Sequence, residues 1–351
     1  MKPSHFLGLG LSVCVFGALA LAATPAPRPQ AAGPLGYHVS KSVPLPGVGF
    51  WDYLAEDPAN RRLYVDHGDE VLVLNLDTQQ LVGTITGLHG THGTAISDKD
   101  GHGFITNGGS ATITEFDIKT LKKLKEIPAP KDVDGIIYDP ATDRVFAFCG
   151  DANQAIAVNA KTGEAVGTID LGGAPEFGAS DGKGFVFNVL ENKSMILKID
   201  AHSLKIVGRY PLAPCKGPSG VSIDAAHERV FAGCHSGVVA IVNGDTGAVI
   251  ATPKIGQGID ASRFDAGTQL LFTSQGDGTI TVIHEDSPDQ FTELGNIPTE
   301  RGARTMAVDP KTHTLFTVTA KFEPMPAPTP GQRRRRPTMV PGSFHLLVVK
   351  K

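Results

Sequence analysis

From Tyr37 onward the chain repeats one pattern, in which short apolar runs are separated by clusters of Asp, Asn, Thr, Pro and Gly. The runs are too short for helices and rich in β-branched and aromatic residues, so they predict strands. In the stretch 139–173 the turn clusters Asp139-Pro-Ala-Thr and Asn159-Ala-Lys-Thr-Gly163 separate apolar runs at 145–148, 155–158 and 166–171. Polar residues start each turn, and glycine accepts the left-handed backbone that closes it.

The unit recurs with an even period. An acidic residue closes the first run of each copy: Asp57, Asp98, Asp139, Asp181, Asp224, Asp265 and Asp309, at intervals of 41 to 44 residues. Such a period predicts a radial or solenoid array. Each copy reads as four strands, the second carrying triplets such as Leu63-Tyr64-Val65, Val145-Phe146-Ala147 and Leu315-Phe316-Thr317. Successive apolar positions suit sheets covered on both faces. The prediction is an all-β fold, a seven-bladed β-propeller of four-stranded antiparallel blades. The last copy ends after its third strand at 344–349, while 37–45 reads as an unattached fourth strand. The N-terminal strand therefore completes the last blade and closes the ring, which removes exposed strand edges.

The runs Asp57-Pro-Ala-Asn-Arg-Arg-Leu-Tyr-Val, Asp139-Pro-Ala-Thr-Asp-Arg-Val-Phe and Val158-Asn-Ala-Lys-Thr-Gly-Glu-Ala-Val-Gly-Thr-Ile resemble the YVTN-type β-propeller repeat of YncE-like exported proteins. The resemblance covers 37–351 apart from one insertion. It implies the propeller fold. It leaves function open, because such propellers serve as binding proteins, surface-layer components and, in relatives, enzymes.

Composition narrows the partners. The 351 residues carry a net charge of -4, so no basic excess supports sequence-specific nucleic-acid binding, and the DNA binding associated with some YncE-like proteins does not carry over. Residues 1–23 read as a signal peptide, with Lys2 before an apolar run and small residues at Ala20 and Ala22. A Pro/Ala-rich linker follows at 24–36, and the single propeller occupies 37–351. The expected location is periplasmic or secreted. Loss of Cys14 with the signal leaves Cys149, Cys215 and Cys234. Cys215 and Cys234 flank one blade on one face and are the better disulfide pair; three buried thiols are the plain alternative. Within the last blade, 321–343 is a Pro-rich insertion holding Arg333, Arg334, Arg335 and Arg336. It is expected to be a solvated loop or a basic flap for an anionic ligand, and membrane contact would come only through it or the signal.

Comparing the copies at one register exposes the candidate site. Five residues before each closing acid stand Asp52, Gly93, Asp134, Glu176, Ser219, Asp260 and Arg304, with His92 beside the glycine and Trp51 and Arg263 nearby. The loops after the second strands add His67, Asn188 and His235. These groups are expected at one channel mouth, a concave polar surface suited to a ligand. The plain alternative is a wet mouth whose acids pair with Arg304 or Arg263. For a metal, the set is Asp134, Glu176 and Asn188, whose hard oxygens suit Ca²⁺ or Mg²⁺; His92 or His67 would favour a transition metal.

Three functional readings follow. The first is a monomeric, non-enzymatic binding protein whose mouth face takes a small ligand or an extracytoplasmic protein. The second is a metal-dependent hydrolase of lactonase type at the same mouth, where an ion polarises a carbonyl. The third is a scaffold that assembles with copies of itself. No haem-attachment motif and no phosphate-binding glycine loop are readable.

Overall fold

The computed structural model describes residues 1, 32–324 and 338–351. The signal-peptide expectation and the four arginines 333–336 lie outside the described residues. Seven four-stranded sheets form the propeller, and every pairing between neighbouring strands is antiparallel. Blades 1 to 6 take their four strands in chain order, the inner ones being Trp51–Asp57, Thr91–Ser97, Val133–Asp139, Pro175–Ser180, Pro218–Asp224 and Ile259–Asp265. Blade 7 is built from Ala307–Asp309, Thr314–Thr319 and His345–Lys350, and His38–Pro44 adds its outer strand. The predicted closure by the N-terminal strand is therefore present, with His38 opposite Lys350 and Pro44 opposite His345.

The repeat explains the core. Tyr64, Phe104, Phe146, Phe187, Phe231, Phe272 and Phe316 sit at one register of the seven second strands, and all are fully buried. Each fills the space between adjacent blades, where truncation to Ala costs about 3–5 kcal/mol. The outer strands are more exposed; Leu81, Val82, Leu124, Val166 and Val207 lie open on the rim.

The acid that closes the inner strand organises its turn. Asp57 accepts the Asn60 backbone N–H, Asp139 accepts the Thr142 backbone and hydroxyl, and Asp265 and Asp309 accept the Thr268 and Thr312 hydroxyls. Blade 2 departs from the expected register. Its inner strand ends at Ser97, which pairs with His102 as Asp57 pairs with Arg62. The repeat position is one residue earlier than Asp98, so the ring residue of blade 2 is His92 and not Gly93.

Cys215 and Cys234 form a disulfide, with Cα atoms 5.8 Å apart. Cys149 is free and buried, and burial pushes its thiol up to about 12.

Candidate functional site: an acid-ringed channel mouth

Each inner strand of blades 1 to 6 slips register against its second strand near its start, between Trp51 and Leu54, Thr91 and Thr94, Val133 and Ile136, Pro175 and Gly178, Pro218 and Val221, and Ile259 and Ala261. Such an irregularity re-aims side chains. It falls on Asp52, His92, Asp134, Glu176, Ser219 and Asp260, and Arg304 occupies the equivalent place in blade 7.

The second strands hold this ring from behind. The Thr106 hydroxyl donates to the Asp134 carbonyl at 2.5 Å and accepts the Gly93 N–H at 3.0 Å. Asn188 donates its amide to the carbonyls of Glu176 and Phe177 at 2.9 and 3.0 Å. The Ser274 hydroxyl donates to the Arg304 carbonyl.

Charge in the ring is unbalanced. His92 Nδ1 lies 2.6 Å from Asp52 Oδ2 and 3.4 Å from Asp134 Oδ1, and Arg304 pairs with Asp260 at 2.9 Å. Glu176 has no cation at salt-bridge distance among the described residues. Burial, then the Asp52 charge, pushes Asp134 up to about 7, with His92 opposing. Burial, then Asp134 and Glu191, pushes Glu176 up to about 8. Burial raises Asp260 to about 6 against the pull of Arg304. Burial alone would lower His92, but the Asp52 hydrogen bond and the Asp134 and Asp52 charges carry it to about 9. Asp66, buried behind the ring on the Thr94 hydroxyl at 3.0 Å, is held well above the carboxylate range by burial.

Aromatic rings form the floor. Tyr53 and Phe177 meet edge to face with centroids 4.0 Å apart, and both are buried. Gly93 and Gly135 lie against the Tyr53 ring, where a Cβ at either would be in ordinary van der Waals contact with it. The pKa of that hydroxyl is raised well above its ordinary value by burial, then by Asp134, Asp52, Glu176 and Asp260. A cavity of about 310 Å³ is lined by Tyr53, Phe177, Glu56 and Arg263.

Several expected site residues lie elsewhere. Arg263 follows Asp260 by three residues along the strand, about 10 Å at 3.3 Å per residue. It sits in the cavity, 5.5 Å over the Phe177 ring, with its charge opposing the burial that raises Glu56. Trp51 is buried between Phe322 and Phe344. His67 stacks on Phe344 at 4.5 Å, and burial lowers its pKa. It ends a second strand, which the inner strand covers, so this register is buried and does not line the mouth. His235 is exposed and lies 3.7 Å from Glu191. Asn188 is buried beside Glu176, donating its amide nitrogen to the Glu176 and Phe177 carbonyls, and its Oδ1 has no hydrogen-bond partner among the described residues. At the mouth, Asp52, His92 and Asp134 bring ligand atoms within 4.8 Å of one another. The imidazole shifts the preference from Ca²⁺ or Mg²⁺ toward a transition metal. Tyr53 and Asp66 were invisible as site residues, although Tyr53 stands where other copies have Gly93, Gly135 and Gly220.

The base of the insertion is ordered. Phe322 bridges to Met339, Glu323 N–H donates to the Thr338 carbonyl, and Phe322 stacks on Phe50 and Trp51.

No protein-family model matches this sequence, and no curated protein matches it. Solved structures do. A chain of the Kuenenia stuttgartiensis hydrazine synthase is 14% identical, with 78% of this chain and 93% of that one covered and a TM-score of 0.68. The RRP9 WD40 repeats are 12% identical, with 91% and 99% covered and a TM-score of 0.72. A chain of the mitotic checkpoint complex is 14% identical, with 88% and 96% covered and a TM-score of 0.69. At this identity the likeness establishes the shared propeller architecture, a fold commonly used for protein interaction.

Proposed function

We propose that this chain is an exported, monomeric binding protein of the YVTN type whose channel mouth takes a small cationic ligand. One observation carries the reading: among the described residues the mouth gathers Asp52, Asp134, Glu176 and Asp260 against His92 and Arg304. Burial first, and then the charge of neighbouring carboxylates, raises the pKa values of Asp134 and Glu176. A cation at the mouth would relieve that repulsion. The floor of Tyr53 and Phe177 beneath the acids suits an organic cation, whose charge meets the carboxylates and whose apolar body meets the rings. Calorimetric titration with a diamine and with Mn²⁺ tests this, since Asp134→Asn removes binding if the ring is the site. Unchanged binding in that variant rejects the ring.

A second reading has its own support. Asp52, His92 and Asp134 offer three ligand atoms of the kind that hold a catalytic divalent ion. A lactonase-type hydrolase would then hydrolyse a lactone only in the presence of metal. Failure of metal-loaded protein to turn over simple lactones removes it. A protein partner on the mouth face rests on analogy of fold with propellers found in assemblies such as the mitotic checkpoint complex.

A further inference from the structure

Three of the closing acids take a donor from the neighbouring blade. Asp309 takes the Arg61 guanidinium at 2.6 and 2.7 Å. Asp265 takes His313 at 2.7 Å, and Asp139 takes the Ser180 hydroxyl at 2.6 Å. The junction of blades 5 and 6 is different, because there Asp224 meets the carboxylate of Glu285. Asp224 is 4% exposed and Glu285 2%. Neither oxygen of Glu285 has a hydrogen-bond partner among the described residues.

No neighbouring base hydrogen-bonds Glu285, although the charges of His227, Arg229 and His284 act on it. Arg229 directs Nε to the Pro288 carbonyl, Nη1 to the His227 carbonyl and Nη2 to Asp289. His284 turns Nδ1 to Asp286 at 2.7 Å. A buried carboxylate without a partner is costly unless it is neutralised or binds a cation.

The third residue after the closing acid supplies the missing group. Where other blades have Asn60, Thr142, Thr268 or Thr312, blade 5 has His227, whose Nδ1 contacts Asp224 Oδ2. Ligand atoms from Asp224, His227 and Glu285 all lie within 4.8 Å of one another. We propose that Asp224, His227 and Glu285 hold one divalent transition-metal ion of the Zn²⁺ class, bracing blade 5 against blade 6.

Two carboxylates and one imidazole are Zn²⁺ ligands, and three protein donors leave a fourth position for water. Ca²⁺ wants more oxygens than this site provides. The backbone fixes the set in advance: Ala226 N–H donates to Asp224, and Glu285 N–H donates to the Gln269 carbonyl at 2.9 Å. His227 is the exposed member and gives the ion its way in. The site is independent of the mouth, because none of its residues belongs to the acid ring.

The test uses chelator-stripped Asp134→Asn protein, which silences the mouth trio, titrated with Zn²⁺. One equivalent binds and raises the melting temperature, because an ion held only by the folded state stabilises it. Adding His227→Ala or Glu285→Gln weakens Zn²⁺ at least about tenfold and abolishes the thermal shift. Glu285→Gln without metal folds at least as well as its parent, since a neutral amide replaces an unpaired buried acid. Failure of the Asp134→Asn protein to take up Zn²⁺, or equal affinity in both added variants, overturns the proposal.

Discussion

His92 Nδ1 lies 2.6 Å from Asp52 Oδ2, across the junction of blades 1 and 2. The same nitrogen is 3.4 Å from Asp134 on blade 3, so one imidazolium serves two acids. Its removal would leave Asp52 and Asp134 opposed without a counter-charge. His92→Ala is expected to destabilise the protein by about 1–3 kcal/mol at pH 7, whereas His92→Lys recovers part of the loss. Chemical denaturation of the two variants measures this.

The mouth also sets the pH dependence of stability. His92, Asp134 and Glu176 all hold their protons in the folded state to higher pH than ordinary His, Asp and Glu do. The unfolded chain releases those protons first, so stability must fall as pH rises. For Asp134 and Glu176 the loss runs from about pH 4 up to about 7 and about 8, and for His92 it ends at about 9. Denaturation midpoints should therefore be lower at alkaline pH than at mildly acidic pH. Glu176→Gln should shrink that difference by about 1–2 kcal/mol. A wild-type midpoint that rises with pH would contradict these assignments.

Gly220 tests the close packing of inner strands behind the ring. A Cβ there would lie 2.5 Å from the Asp260 carbonyl oxygen and 2.6 Å from the Ser262 nitrogen, both backbone atoms that cannot swing aside. Gly220→Ala should cost about 2 kcal/mol or more through strand displacement, and Asp260 should lose register with Arg304. Thermal unfolding reads the first effect, and cation affinity reads the second.

The Cys215–Cys234 disulfide closes a loop of 19 residues. Its loss in Cys234→Ala should cost about 2–4 kcal/mol. A chain beginning at Ala32 should titrate a single thiol, from Cys149, when denatured without reductant, and that thiol should stay unreactive in the native protein. Three thiols would show that the bond does not form.

Repetition made the fold readable. Seven copies of an acid-closed strand and an aromatic second strand leave few architectures, and 37–45 matched the missing strand of the last blade. The site was readable only in part. Counting back from a closing acid reached Asp52, Asp134, Glu176, Asp260 and Arg304, because chain register and structural register agree there. It landed on Gly93, one position from the His92 named beside it, since blade 2 ends its strand on Ser97 and Asp98 mimics the marker. It did not show that His67 is buried against Phe344, because depth behind the inner strand depends on packing that a one-dimensional register does not carry. Glu285 was invisible, since its meaning comes from Asp224 across a blade junction.

Cation binding by the acid ring is tested most directly by a calorimetric titration of protein carrying His227→Ala and Glu285→Gln, so that the second trio is silenced, with Mn²⁺ and then with a diamine. The ring predicts saturable binding of one equivalent of at least one of them, abolished by Asp134→Asn and weakened by Asp52→Asn. No saturable binding of either cation, or binding indifferent to Asp134→Asn, would contradict it.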